Sequence, residues 1–201
     1  EFNGTVKAKK ISRHFESLYE SAILNYHLLK ESSETSDITS SDNFAALETM
    51  TGEGADYLII AEDNFYNGVQ PLANWKREKG LKVKVTTLTD IWSWAGVVEN
   101  YDKAIRDYIK NAYENWDPAP SYVLLVGDVE DLPTHYGTYY IPNVATDHYY
   151  SCLTENDYFS DVFVGRISVK RNDELRVIVN KIIGYENNPY LAENWYRKAV
   201  L

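Results

Sequence analysis

Thiols are almost missing from this chain: Cys152 is the one cysteine in 201 residues. An internal disulfide and a cysteine-ligated zinc site are therefore excluded, while a single cysteine fits either redox compartment. No apolar run is long enough to span a bilayer. Positive charge is also short, with 20 Lys and Arg against 30 Asp and Glu and a formal net charge of -10. Such a field repels phosphate backbones and anionic membranes and favours cations or basic partners, so neither nucleic acid nor membrane is expected as a partner. The opening "EFNGTVKAKK" has no apolar h-region, which would put any targeting segment upstream of Glu1. What the chain does have is apolar and aromatic bulk: 44% hydrophobic residues, seventeen tyrosines and five tryptophans. That content excludes a disordered chain, and the length suits one main α/β domain with an appendage.

Residues 14 to 29 place Phe15, Leu18, Tyr19, Ala22, Ile23 and Tyr26 at helical spacing, a stripe that needs a partner surface. The Ser, Thr, Asp, Glu and Gly-rich stretch 31–54 favours solvation over packing and reads as a linker. From residue 55 strands and helices alternate. "ADYLIIAE", "LKVKVTTL", "SYVLLVGD" and "DVFVGRIS" read as strands. "FYNGVQPLANWKREKG", with Gly80 as its C-cap, "NYDKAIRDYIKNAYENW" and "NDELRVIVNKIIGYENNP" read as helices. Repeated βα alternation predicts a mostly parallel sheet with helices on both faces, a three-layer αβα sandwich. The polar, tyrosine-rich excursion 129–160 is long enough to be functional. The final "WYRKAVL" reads as one more strand just beginning, so the domain is expected to be truncated at its C-terminus.

Ligands of open parallel sheets collect beyond the carboxyl ends of strands, and Asp128 follows such a strand. In "TENDYFSD", Asp157 and Asp161 flank Phe159, giving carboxylates with a main-chain carbonyl between them, a spacing that suits a hard cation. The competing reading makes these acids caps and solvated loop residues. A thiol nucleophile would pair Cys152 with His148, His135, His27 or His14, but closeness of His148 and Cys152 in sequence does not supply the geometry. Asp63 and Asp128 could instead form the acidic pocket of a phosphoacceptor receiver, although Lys170 lies past its strand and the long excursion is foreign to that compact fold. Arg166, inside a strand, must find a carboxylate or carbonyls if buried, and structural pairing is the expectation.

Taken in order, "YVLLVGDVEDLPTHYG", "TDHYYSCLTENDYFSDVFVGRIS" and "ELRVIVNKIIGYENNP" resemble the gingipain-type cysteine peptidases, across about residues 55–201. "ISRHFESLYESAILNY" resembles the end of the propeptide that precedes the catalytic domain in that family. The resemblance implies a caspase-like α/β fold, secretion to the extracellular space or cell surface, endopeptidase activity through a Cys-His pair, and structural calcium. It makes residues 1–54 a propeptide tail and linker, and 55–201 the N-terminal subdomain. It also implies calcium ligands at the carboxylates of Asp128, Asp157 and Asp161 and the carbonyls of Thr154 and Phe159.

The family's catalytic histidine stands in a His-Gly dipeptide, with the cysteine after a later strand. This chain contains no His-Gly, and Cys152 falls in the wrong segment to be the nucleophile. No catalytic residue is therefore assigned. The expectation is the scaffold and calcium-binding part of a secreted cysteine endopeptidase, inactive alone. Its partners would be the C-terminal half of the catalytic domain and a protein or peptide substrate. The alternative is a non-catalytic binding module using the aromatic-rich loop.

Overall fold

The computed structural model describes residues 11–22, 54–137, 144–154 and 158–189. Its centre is a four-stranded parallel sheet in the order β2-β1-β3-β6, built from β1 (Tyr57–Ala61), β2 (Val83–Thr87), β3 (Tyr122–Val126) and β6 (Phe163–Ile167). β1 and β3 lie inside the sheet, covered on both faces, which is why they are continuous apolar runs. Leu58, Ile59, Ile60 and Ala61 have no exposed surface, and side chains alternate between two cores.

One face carries α3 (Leu88–Ala95) and α4 (Tyr101–Asn115), which bury Ile91, Ile105 and Ile109 against Leu58, Ile60, Val123 and Leu125. The other carries α2 (Tyr66–Glu78) and α5 (Asn172–Asn187), whose Val69, Leu72, Leu175 and Val179 meet Ile59, Ala61, Leu124 and Val126. The expected three-layer αβα sandwich of the caspase-like class is what forms. Gly80 follows α2 with φ of 90°, the left-handed geometry expected of a residue closing a helix. α2 and α5 are tied at their ends by Glu186, which accepts from Lys76 Nζ at 2.6 Å, Lys79 Nζ at 3.0 Å and Trp75 Nε1 at 2.9 Å. Burial opposes ionisation of Glu186, but those three donors outweigh it and hold its pKa at about 2.

α3 has no counterpart in the sequence reading. Thr87 ends β2 and also caps α3, exchanging bonds with Asp90 in a capping box, so no loop separates strand from helix. The excursion after β3 contains a short antiparallel pair, β4 (His135–Gly137) and β5 (Val144–Thr146), then a single 3₁₀ turn at His148–Tyr150. α1 (Arg13–Ala22) begins one residue before the helix expected over 14–29 and overlaps its first part; positions 23–29 of that expectation, and most of the proposed linker, fall outside the described residues.

Candidate functional site

Strand order reverses direction between β1 and β3, and the crevice beyond their carboxyl ends is the usual ligand position of such a sheet. Glu62 and Asp63 follow β1 there, and Gly127 and Asp128 follow β3. Gly127 has φ of 144°, and a Cβ on it would stand 3.3 Å from Leu132 Cβ and 3.4 Å from Glu62 Cβ, so a side chain at this turn would be strained and tightly packed. Asp128 Oδ1 accepts from Ser168 Oγ at 2.7 Å, and Oδ2 lies 3.2 Å from Lys170 Nζ. The Ser168 hydroxyl first, then the Val129 amide and Lys170, hold the Asp128 pKa below the ordinary carboxylate range. Lys170 also meets Glu130 Oε2 at 2.9 Å, so it reaches Asp128 although it lies past the strand. Glu62 moves the other way: burial, together with Asp131 and Asp63, raises its pKa against the hydrogen bonds of Asn64.

Asp161 sits at the opposite end of the sheet. It precedes β6, and Asp128 follows β3, the parallel neighbour that β6 pairs with from Tyr122↔Phe163 to Val126↔Ile167. The paired strands alone span roughly 13 Å, and the two carboxylates lie beyond opposite ends of that span. Calcium ligands stand about 2.3–2.6 Å from the ion. One calcium therefore cannot take both Asp128 and Asp161, and the five-residue site expected from the sequence is not assembled. Asp161 instead gathers the 151–154 segment. Its Oδ2 accepts from Leu153 N at 2.8 Å, Thr154 N at 3.0 Å and Thr154 Oγ1 at 3.3 Å, and its own N–H donates to Ser151 O at 2.8 Å. Asp161 is almost wholly buried, whereas Phe159 is 75% exposed and Asp157 lies outside the described residues. Thr154 and Asp161 thus come together and Asp128 does not join them. The donor types of the 154–161 loop, carboxylates and carbonyls, remain those a hard cation takes.

Cys152 and His148 do meet, at 3.3 Å between Sγ and Nε2. The sequence neighbourhood left that contact open. The same Nε2 faces Tyr158 O at 3.0 Å, which only a protonated nitrogen can satisfy, while Nδ1 is 3.2 Å from Ser151 Oγ. In the tautomer that donates to Tyr158 O, the nitrogen nearest the thiol is the one that bears the proton and is not placed to take another. Beside it a cavity of about 430 Å³ is lined by Phe15, His148, Ser151, Ser160 and Phe163, at the end of the sheet away from Asp128. His135 is occupied elsewhere, with Nδ1 2.6 Å from Asp102 Oδ2 and its ring stacked on Tyr149.

Arg166 is paired structurally, as expected. Its Nε and Nη2 clasp both oxygens of Asp147 at 2.7 and 2.9 Å, and its remaining donors reach Gly127 O, Leu132 O and Pro133 O at 3.0, 2.8 and 3.3 Å. The guanidinium closes the turn after β3 against the excursion.

A parallel αβα sheet with a glycine-acid turn at its switch point and a long excursion before its edge strand defines an α/β subdomain whose ligand position lies at that turn. The chain belongs to peptidase family C25, whose model matches residues 50–201. Gingipain R2 of Porphyromonas gingivalis is 27% identical over 186 residues, 92% of this chain and 22% of that protein. Gingipain R1 is 29% identical over 143 residues, 71% of this chain and 14% of its own length. Lys-gingipain is 26% identical over 147 residues, 72% and 8%. The crystal structure of the Arg-specific cysteine proteinase gingipain R aligns with a TM-score of 0.56 and 28% identity, covering 67% of this chain and 29% of that one. The complex of Porphyromonas gingivalis RgpB pro- and mature domains aligns equally well. Dimeric latent PorU, at TM-score 0.61 and 22% identity over 74% of this chain and 17% of its own, shares the fold. The chain spans 22% or less of the length of these curated relatives. At family level it is a gingipain-like cysteine peptidase sequence, and the receiver reading is set aside.

Proposed function

We propose that this chain is the N-terminal scaffold subdomain of a secreted gingipain-like cysteine endopeptidase, preceded by a propeptide tail. The nucleophile and base would come from residues beyond Leu201, in the C-terminal half of the catalytic domain, and the full enzyme would cleave protein or peptide substrates. The family match over 50–201 carries this reading. The state of the one cysteine supports it, since the His148 nitrogen facing Cys152 is engaged by Tyr158 O. Peptide libraries incubated with this chain should show no hydrolysis. Turnover that disappears in Cys152→Ala would place the nucleophile here and overturn the assignment.

Calcium belongs to the same proposal in a reduced form. The ion would sit on the 154–161 loop, held by the carboxylates of Asp157 and Asp161 and the carbonyls of Thr154 and Phe159, and would supply structural cross-linking of the loop. Asp128 has no part in it. Added calcium should raise the melting temperature, because binding to the folded state alone stabilises it by mass action. Asp157→Asn should abolish that rise and Asp128→Asn should leave it intact; the reverse pattern, or no rise in wild type, rejects the site. A non-catalytic binding module is the second reading, favoured by the exposure of Tyr158 (68%) and Phe159 (75%) on the same loop. It gains if the longer gene product also hydrolyses nothing.

A further inference from the structure

β2 stands at one end of the sheet and, among the described residues, pairs only with β1. Along its open side runs a groove of about 690 Å³ whose charged lining is Arg77, Lys82, Lys84 and Asp117. In a chain with a formal net charge of -10, three bases against one acid reverse the local sign. None of the three is ion-paired among the described residues, whereas Lys76, Lys79 and Lys170 each meet a carboxylate. Arg77 donates instead to Asn74 Oδ1 at 2.8 Å and Val83 O at 3.0 Å, and the Lys84 ammonium stands 4.7 Å from the centre of the Trp116 ring.

The backbone of β2 is open on the same side. Tyr57 N–H donates to Lys82 O, so Lys82, Lys84 and Thr86 turn their backbone groups toward β1 while Val83, Val85 and Thr87 turn theirs outward. Arg77 takes the Val83 carbonyl and Asp90 takes the Thr87 amide. Among the described residues nothing takes the amides of Val83 and Val85 or the Val85 carbonyl. Side chains alternate as well: Lys82 and Lys84 stand on the Trp116 face, and Val83 and Val85 on the face that α2 covers. A strand laid along this edge would therefore meet lysines on one face and valines on the other.

We propose that the open edge of β2 docks an extended acidic segment of a partner protein, one whose acids alternate with apolar residues, as a further strand of the sheet. Main-chain bonds to Val83 and Val85 supply affinity, and the alternation of Lys and Val supplies register and choice of partner. Lysines on an edge strand guard against pairing with apolar strands. The same lysines attract an acidic one, so the guard is selective. A second copy of β2 is a poor occupant, because its lysines would face these lysines. The inference rests on this edge and not on the peptidase reading, and it places the partner away from the crevice beyond β1 and β3.

The test titrates the isotope-labelled full chain with a short peptide of repeated Glu-Val and follows backbone amides by NMR. The Val83 and Val85 amides are expected to shift and to gain protection from hydrogen exchange, while those of Gly127 and Asp128 stay in place. Lys82→Glu combined with Lys84→Gln should weaken binding at least about tenfold. Should that variant lose its native circular dichroism, Lys82→Glu alone replaces it and should still weaken binding about threefold or more. A peptide of repeated Glu-Pro keeps the charge but cannot pair as a strand, and one of repeated Lys-Val keeps the pairing but reverses the charge; neither should bind. No binding of the Glu-Val peptide, shifts confined to the crevice, equal binding of either control, or an unweakened variant overturns the proposal. Shifts of Val83 and Val85 that follow protein concentration without peptide would give the edge to a second copy and overturn the choice of occupant.

Discussion

Removing the Arg166 guanidinium tests whether the turn after β3 is held from the edge strand. Arg166→Ala deletes five hydrogen bonds, two to Asp147 and three to the carbonyls of Gly127, Leu132 and Pro133. The arginine side chain is only 10% exposed, whereas Asp147 is 27% exposed and can recover some hydration. Breaking a buried pair by deleting one partner costs about 3–5 kcal/mol, and the partial access of Asp147 places this case at about 3 kcal/mol. For a chain of this size that lowers the melting temperature by roughly 6–12 °C. Urea unfolding followed by tryptophan fluorescence measures the loss directly. Arg166→Lys should recover part of it, because an ammonium can meet Asp147 but cannot also span the carbonyls. Arg166→Ala combined with Asp147→Ala should cost less than the sum of the single changes, since no carboxylate is then left unpaired. A loss below about 1 kcal/mol, the worth of a surface ion pair, would refute the argument that Arg166 organises the turn.

Glu186 should make stability acid-sensitive. Its folded pKa of about 2 lies below the ordinary 4.5, so its contribution, up to about 3 kcal/mol, is complete above 4.5 and is lost as pH falls toward 2. Glu186→Gln should lower the urea midpoint at neutral pH and flatten its pH dependence within that window; an unchanged slope would show that the clamp contributes nothing. Cys152 should resist iodoacetamide in the native state and react at least roughly a hundredfold faster in denaturant. Rapid native labelling that is lost in His148→Ala would instead reveal an activated thiol.

The parts of the fold legible in the sequence are those where burial dictates residue type on both faces. "YLIIA" and "YVLLV" are apolar throughout because helices cover the sheet above and below, and α4 shows its stripe at helical spacing for the same reason. α3 was hidden because its cap, Thr87, is also the last residue of β2, so no turn signal marks the change of period. Grouping Asp128 with the 154–161 loop failed for a reason the sequence did contain. In a parallel sheet, an acid that precedes one strand and an acid that follows its neighbour stand at opposite ends, and Asp161 and Asp128 have that relation. The Cys152–His148 contact was not legible, since a 3₁₀ turn at His148–Tyr150 brings residues four apart together in a segment with no periodic pattern.

β6 carries a consequence for where the sheet can grow. Among the described residues it pairs on one side only, with β3, and its first residue, Phe163, is 40% exposed. Its sequence "FVGRI" has no proline, and its one charge is folded back onto Asp147, so neither of these guards stands on the strand itself. An edge of this kind accepts a strand from whatever chain offers one. Any strand that adds to the sheet on this side would add here, and a charged residue at Gly165, where an added Cβ meets nothing within 4 Å, is the substitution that would disfavour it.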